Sequence, residues 1–292
     1  MKIASSVRPR NDGRYFRLAT HWAPLISLFV LAIGSVLMLM PLLWTFSTSL
    51  RPMAESYDLP PNFFPTSWHW ENYEAVFNSP VPLARFTGNS VFVTVCVTLG
   101  QLITCSMAGY AFARMRFKGK NVLFIILLAA LMVPIQVTII PTFIIMKNLG
   151  LVDSLFSLIL PALISPFGVF LMRQHFLSLP HELVDAARID GATHWIIFIR
   201  IAIPLAGPAL SGLGILTFNS SWNAYFQPLI FINSWERMTL PLGIAGLRQY
   251  MGAGNPSVVL AAVTLALVPV VIVFLLAQRW IIEGMVRSGI KG

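Results

Sequence analysis

Long uncharged stretches separated by charged connections form the main pattern along this chain. Six segments of at least 19 residues contain no Lys, Arg, Asp or Glu: 23–50, 86–113, 121–146, 154–172, 201–235 and 249–278. About 20 apolar residues in a helix cross the roughly 30 Å hydrocarbon core of a bilayer. Because lipid offers no partners to unpaired backbone groups, such segments favour helices. We therefore predict an all-α membrane protein with six helices, at approximately 23–47, 86–111, 121–146, 155–176, 204–233 and 257–281.

The distribution of basic residues predicts how these helices are oriented. Of the 20 Lys and Arg residues, 15 fall on the side that would hold both termini and 5 fall on the opposite side. Short loops rich in Lys and Arg stay in the cytoplasm, so we predict that both termini are cytoplasmic. The net charge of +9 then lies at the cytoplasmic face, and it indicates topology rather than binding to nucleic acid.

The connections divide the chain into a cytoplasmic segment 1–22, a six-helix domain 23–281 and a cytoplasmic tail 282–292. The external loop 48–85 is rich in proline and aromatic residues, which predicts a folded loop on the membrane surface or an aromatic interface belt. The external loop 234–256 contains four glycines, which predicts a flexible excursion. The cytoplasmic loop 177–203 is the longest internal connection.

Composition supports a membrane protein and excludes several other classes. Hydrophobic residues make up 57% of the chain and charged residues 11%, whereas about 25% charged residues is typical of soluble domains. A disordered chain and a coiled coil are excluded on the same ground. The two cysteines, Cys96 and Cys105, lie in one apolar run and cannot be bridged within one helix, so they do not indicate a disulfide scaffold.

Motifs for catalysis and for nucleotide binding are absent from the sequence. None of the five histidines lies deep in a predicted span, and there is no His-Glu-x-x-His, no Gly-x-Ser-x-Gly and no P-loop. We predict no catalytic residues, no metal site and no cofactor bound by this chain. The predicted spans also lack the ionisable residues that ion-coupled carriers need. Energy for uphill transport would therefore come from another subunit.

The fifth predicted helix carries neutral polar residues in its outer half. They permit two interpretations, hydrogen bonding between helices or a pathway that suits sugar hydroxyls. On the second interpretation the candidate lining residues are Asn219, Trp222, Asn223 and Tyr225. In the second helix, Gly100, Thr104 and Ala108 recur every four residues, which predicts a face for close packing.

The cytoplasmic loop has the pattern of two short helices with a break between them. Pro180 can begin the first helix, Val184, Ala187 and Ile189 give it a small apolar face, and Asp190-Gly191 is a turn signal. A second amphipathic stretch leads to Pro204. The first helix could lie on lipid, or it could fit a socket on a partner protein.

The loop sequence VDAARIDGATHWIIFIRIAIPLAGPAL resembles the EAA loop of binding-protein-dependent ABC transporter permeases. It departs from the family pattern at Asp185, where Glu is usual, and at Ala202-Ile203 before Pro204. Three further segments, WHWENYEAVF, NSSWNAYFQPL and the C-terminal SGIKG, resemble the sugar-type branch, similar to the second maltose-type subunit.

The resemblance implies a type I ABC importer permease fold in the bacterial inner membrane and assigns roles to three groups of residues. Residues 182–193 would form a coupling helix that docks on a cytoplasmic ATPase, with Glu182, Asp185, Ala186, Ala187, Asp190, Gly191 and Ala192 at the contact. The C-terminal residues Gly289, Ile290, Lys291 and Gly292 would also reach the ATPase. Gly246, Gln249, Tyr250 and Gly252 would face an extracytoplasmic solute-binding protein.

The resemblance also implies the partners and the function. The partners would be a homologous second permease chain, a dimer of ATPase subunits that hold ATP and Mg²⁺, a solute-binding protein and membrane lipid. The chain would form half of the pathway of an oligosaccharide importer, for malto-, uronate or other oligosaccharides, and would work by alternating access. The alternatives are a secondary carrier or channel for a small polar solute, which predicts an inverted repeat or intramembrane charges, and a membrane enzyme.

Overall fold

The computed structural model describes residues 13–58, 62–79, 81–250 and 255–289, and within these ranges every regular element is helical. The prediction of an all-α protein is therefore confirmed for the described part of the chain. The helices are α1 Gly13–Ser49, α2 Glu71–Asn78, α3 Leu83–Arg114, α4 Lys120–Ala130, α5 Ile135–Asn148, α6 Phe156–Ile159, α7 Pro166–Ser178, α8 His181–Ile189, α9 His194–Ile197, α10 Ile203–Leu205, α11 Gly207–Trp222, α12 Phe226–Phe231, α13 Leu240–Tyr250 and α14 Pro256–Gly289.

Four helical segments of the described chain are each long and apolar enough to cross a membrane: Pro24–Ser49, Leu83–Arg114, Phe156–Ser178 and Pro256–Leu276. Two further pairs pass the same test only together. The axes of α4 and α5 differ by 105°, and the segment His194–Leu205 meets α11 at 77°. The described residues therefore contain four candidate spans, or up to six if each bent pair counts as one.

Proline explains why the third predicted helix, 121–146, is broken. Pro134 has no backbone N–H and its own backbone is extended, with φ −68° and ψ 145°, so α5 begins only at the next residue. The prediction of one continuous helix was wrong here, although both parts lie in the predicted range.

The prediction of a single fifth helix over residues 204–233 was also wrong. The helical region begins upstream, at His194, and passes through a π-helical turn at Phe198–Ala202. It bends at the fully buried Ala206, between Pro204 and Pro208, and ends at Trp222. The residues that follow form the separate short helix α12.

Close approach of α3 to the segment 163–173 forms the centre of the fold. A β-carbon placed on Gly109 would lie 2.7 Å from Met172 Cβ and 2.8 Å from the backbone nitrogen of Arg173. Leu163 packs in the same way against Gly100, and Thr104 donates a 2.5 Å hydrogen bond to the Leu163 carbonyl. The predicted packing face of the second helix is therefore confirmed.

Both long loops that the sequence places outside the membrane are folded. In the first, Leu50 and Val76 are buried, and the Asn72 amide donates to the carbonyls of Ser49 and Arg51 at 3.0 and 2.9 Å. In the second, the predicted flexible excursion is wrong for residues 240–250, which form α13 with Leu247 fully buried. Gly243 is required there for close packing and not for flexibility, because the ring of Phe86 occupies the space that a side chain would fill.

Asp153 joins the loop after α5 to the loop before α13. Its carboxylate accepts hydrogen bonds from the backbone amides of Asn233 and Ser234 at 2.9 and 2.8 Å and from the Ser234 hydroxyl. Arg237 pairs with the same carboxylate at 3.2 Å. Asp153 itself has a positive φ of 58°, a conformation that aspartate and asparagine tolerate better than most residues.

We expect Gly109→Ala to destabilise the protein. Alanine would force α3 away from the backbone of α7, and overpacking of this kind costs about 1–3 kcal/mol. Gly34→Ala is the matched control, because nothing lies within 4 Å of a β-carbon at that helical position. The thermal unfolding midpoints of the two purified variants in detergent provide the measurement. Equal midpoints would show that the α3–α7 contact is not close enough to exclude a methyl group.

We expect the Asp153 contact to persist at neutral pH and to be lost only in acid. Hydrogen bonds from Ser234 hold the pKa of the Asp153 carboxyl below its ordinary value of 3.8. Stabilisation from a lowered pKa is complete above the ordinary value and disappears as the pH falls through the lowered one. Amide hydrogen exchange at residues 232–237 should therefore show unchanged protection between pH 8 and pH 5, after correction for intrinsic rates.

The matched variants for this contact are Asp153→Asn and Asp153→Ala. Asparagine keeps one acceptor oxygen and tolerates the positive φ, whereas alanine loses both properties. Faster exchange in alanine than in asparagine is the expected order, and the reverse order would contradict the role given to the carboxylate oxygens.

Candidate functional site

A cavity of about 670 Å³ lies between α3, α7 and α11, with the first residues of α5 and the start of α12 completing its wall. Its polar lining consists of hydroxyl and amide groups, and no Asp, Glu, Lys, Arg or His belongs to the described lining. The hydroxyl and amide side chains of the lining include Ser90, Gln101, Thr217, Ser220, Tyr225 and Gln227. The cavity can therefore offer many hydrogen bonds but no ionic partner.

Gln101 is the best-anchored polar group of the cavity wall. Its amide nitrogen donates to the Ala162 carbonyl at 2.7 Å, and its amide oxygen accepts from the Thr217 hydroxyl at 2.9 Å. These two bonds connect α3, the turn before α7 and α11 at one point. A primary amide has two donors and an oxygen with two lone pairs, so one donor and one lone pair stay available to the cavity.

The structure does not bring the four predicted pathway residues together at the cavity. Tyr225 lines the cavity. Trp222 is buried, stacks on Phe218 with ring centroids 5.8 Å apart, and donates its indole N–H to the Ala266 carbonyl at 3.1 Å. Asn219 and Asn223 are exposed and bond to each other, outside the lining. Three of the four therefore do not face this cavity.

Sequence reasoning missed the residues that line the cavity from other elements. On α11 the lining positions Leu213, Thr217 and Ser220 follow helical spacing, and this spacing could have selected Ser220 instead of Asn219. Gln101 is the single side-chain amide between Ser90 and Ala113, which is a usable signal in an apolar helix. Nothing local in the sequence marks Gln136 as a lining residue, because it reaches the cavity wall only through the break between α4 and α5.

The loop between α7 and α11 presents α8 at the surface. Helix α8 spans His181–Ile189, and Gly191 follows with φ +79°, so the predicted helix and break are confirmed. Val184 is buried and Ala187 packs against the core, as predicted for the apolar face. Ile189 is 86% exposed and does not belong to that face, because it lies five residues from Val184 and points elsewhere.

Five of the seven predicted coupling residues are exposed on this loop. Ala187 and Ala192 are half-buried, whereas the other five are exposed: Glu182, Asp185, Ala186, Asp190 and Gly191. Asp185 pairs with Arg188 at 3.6 Å, one turn along the helix. The side chains of Leu183 and Ile189 are exposed beside them, so α8 presents both apolar and acidic groups outwards.

Arg114 fixes α8 to the rest of the molecule. This buried side chain at the end of α3 donates its Nε–H to the Phe176 carbonyl at 2.9 Å and a second N–H to the Leu179 carbonyl. A third donor reaches His181 Nδ1 at 3.0 Å, and because arginine only donates, that nitrogen accepts. One guanidinium therefore joins the ends of α3 and α7 to the first residue of α8.

The other predicted contact residues lie near the ends of the described ranges. Gly246 packs in α13 with Trp235, whose ring would be 3.2 Å from a β-carbon there. Gln249 and Tyr250 end α13, and Gly252 lies outside the described residues. Gly289 ends α14, and Ile290, Lys291 and Gly292 lie outside the described residues. Within the described ranges no group of three His, Cys, Asp or Glu side chains could hold a metal ion.

Comparison with known proteins identifies a family. Residues 102–287 match the model of the binding-protein-dependent transport system inner membrane component. The arabinooligosaccharides transport system permease protein AraQ of Halalkalibacterium halodurans is 37% identical, over 92% of this chain and 98% of that protein. The sn-glycerol-3-phosphate transport system permease protein UgpE of Yersinia pestis is 34% identical, over 89% of this chain and 94% of that protein.

A solved structure shares the fold along nearly the whole chain. A bacterial ABC transporter involved in the import of the acidic polysaccharide alginate contains a chain with a TM-score of 0.75 and 25% identity, covering 94% of this chain and 99% of that one. The bacterial alginate ABC transporter in complex with alginate pentasaccharide-bound periplasmic protein contains a chain with a TM-score of 0.64 and 15% identity. The second likeness concerns the fold alone.

We expect Arg114→Lys to loosen α8 without unfolding the spans. A lysine ammonium cannot reproduce the three directed bonds of the guanidinium, and hydrogen bonds to charged groups contribute about 1.5–3 kcal/mol each. Amides 181–190 should exchange faster with deuterium in the variant, while those of α3 keep their protection. Arg116→Lys is the control, because Arg116 is exposed two residues further along. Equal exchange in both variants would contradict the anchoring role of Arg114.

Proposed function

This chain belongs to the family of binding-protein-dependent transport system inner membrane components, and on that premise we propose that it is one permease subunit of an ATP-driven oligosaccharide importer. Together with a homologous second permease it forms the pathway, which opens alternately to the two sides of the bacterial inner membrane. This chain carries no catalytic residue in the proposal. ATP and Mg²⁺ are held by a dimer of cytoplasmic ATPase subunits.

The choice of an oligosaccharide rests on relatives and on the cavity. The AraQ proteins of Halalkalibacterium halodurans and Bacillus subtilis are named for arabinooligosaccharides. Each matches this chain over almost its whole length. The described lining of the cavity contains hydroxyl and amide groups, which suit a polyhydroxylated solute. A secondary carrier is not favoured, since its ionisable coupling groups are missing from that lining.

Membrane topology is part of the proposal. The two bent helix pairs each count as one span, which gives six, and both termini lie in the cytoplasm. The 15 basic residues that this arrangement places on the cytoplasmic side support it. The external loops, including α13 and Gly246, then face an extracytoplasmic solute-binding protein, and the C-terminal residues 289–292 reach the ATPase dimer.

The observation that carries the ATPase contact is the exposure of α8. A nine-residue helix with Ile189 86% exposed and Leu183 45% exposed presents an apolar surface that lies outside the packed core. We assign this surface, with Asp185 and Gly191, to a cleft on the ATPase. Its rigid attachment through Arg114 supports the role, because movement of a docked helix is transmitted only if the helix is fixed to the spans.

We expect Ile189→Glu to abolish binding of the ATPase. A charge at the exposed centre of an apolar contact is desolvated without a partner, which costs several kcal/mol. Co-purification of the ATPase with tagged permease and ATP hydrolysis stimulated by the loaded binding protein provide the two measurements. Glu74→Lys, at an exposed position of α2 in the first long loop, is the control for co-purification and should keep it. Normal co-purification with Ile189→Glu would overturn the docking assignment.

A further inference from the structure

We propose that the cavity is a binding subsite for an uncharged oligosaccharide and that it discriminates against uronate and phosphorylated solutes. The inference rests on the proposed importer function and adds a substrate class to it. Selectivity would then reside partly in this chain, in addition to the solute-binding protein.

The charge of the cavity wall favours neutral solutes. No acidic, basic or histidine side chain belongs to the described lining, so a carboxylate or phosphate in the cavity would find no ionic partner on this chain. Anions in proteins are recognised by arginine, lysine or clustered backbone amides, and a charge that is desolvated without such partners is strongly disfavoured. Sugar hydroxyl groups need no ionic partner, because each hydroxyl can donate and accept a hydrogen bond.

Polar groups of the cavity wall are anchored by bonds within the protein. Gln101 uses one amide N–H on Ala162 and accepts from Thr217 at its amide oxygen, which fixes its orientation and leaves one donor and one lone pair. Ser90 accepts from the Leu240 amide at 2.7 Å, so its own hydroxyl proton is left for another acceptor. These side chains are held in place by the protein and keep part of their hydrogen-bonding capacity. Such preorganisation is what binding a flexible, strongly hydrated ligand requires.

The aromatic residues and the volume of the cavity also suit a sugar. Phe167, Tyr225 and Phe226 contribute to the wall and are 44%, 42% and 42% exposed, so their rings are available to the apolar faces of sugar rings. The volume of about 670 Å³ falls within the roughly 300–1,000 Å³ of small-molecule sites. A few sugar units fit such a volume, with polar edges on the amides and C–H faces on the rings.

The test uses protection of an introduced cysteine in the complete importer, assembled from this chain, the second permease and the ATPase. Ser220→Cys places a thiol at an exposed position of the lining, in a background where Cys96 is replaced by serine and the buried Cys105 is retained. The probes are arabinotriose and maltotriose as uncharged trisaccharides and trigalacturonate as the charged one. The rate of modification by a water-soluble methanethiosulfonate reagent is measured with each.

We expect the better uncharged trisaccharide to slow modification about tenfold when it is present at about ten times its dissociation constant, whereas trigalacturonate leaves the rate unchanged. Equal protection by trigalacturonate would overturn the discrimination by charge, and no protection by any probe would overturn the subsite. Asn78→Cys, at the exposed end of α2, controls for consumption of the reagent and should react at one rate throughout.

A transport measurement separates failure of this inference from failure of the proposed function. Proteoliposomes that contain the wild-type importer and its binding protein should accumulate one of the uncharged trisaccharides in the presence of ATP. Absence of any accumulation would contradict the importer function itself. Gln101→Leu should raise the KM for uptake about tenfold, as expected for loss of about 1.4 kcal/mol of binding. An unchanged KM would remove Gln101 from the subsite.

Discussion

The structure depends on one constraint, which is that the carbonyl groups at helix breaks within a membrane need donors from elsewhere in the protein. Helix α3 supplies them. Its Gln101 and Thr104 donate to the carbonyls of Ala162 and Leu163, where the segment before α7 is irregular. At its other end Arg114 donates to the carbonyls of Phe176 and Leu179, beyond which α8 begins. The broken segments next to α3 are tolerated because this continuous helix satisfies them.

Packing reinforces the same arrangement. The absence of a side chain at Gly109 lets α3 approach the backbone of α7 closely enough for these side-chain bonds to reach their acceptors. Arg173 on α7 makes a reciprocal contact with α3, because its Nε–H donates to the Phe112 carbonyl at 3.3 Å. Its guanidinium lies 4.0 Å from the centre of the Phe124 ring. The cavity and the exposed loop helix are therefore built on one pair of helices in close contact.

Much of the fold could be predicted from the sequence because missing charges are a strong signal in a membrane protein. The spans around α1, α3, α7 and α14 follow from it directly. The breaks could not be placed from apolar content alone, since Pro134 interrupts a helix whereas Pro141 and Pro269 lie inside helices. Whether a proline ends a helix depends on whether neighbouring groups satisfy the freed carbonyl, and that is a property of the tertiary structure.

The candidate site was predictable to different degrees in its two parts. The loop helix is local, so Pro180, the acidic first turn and Asp190-Gly191 were sufficient to place it. The cavity is formed by elements distant in sequence, and polar character alone did not distinguish the buried Trp222, which serves packing, from Ser220 two residues earlier, which lines the wall.

The continuity of α3 has a mechanical consequence. Arg114 and Gln101 stand on one unbroken helix, thirteen residues and therefore about 20 Å apart. If α3 rotates about its axis from the Arg114 end, the amide of Gln101 turns relative to Thr217 on α11. A movement at the Arg114 end of α3 would therefore strain the hydrogen bond between Gln101 and Thr217. The cavity would change shape first at that bond.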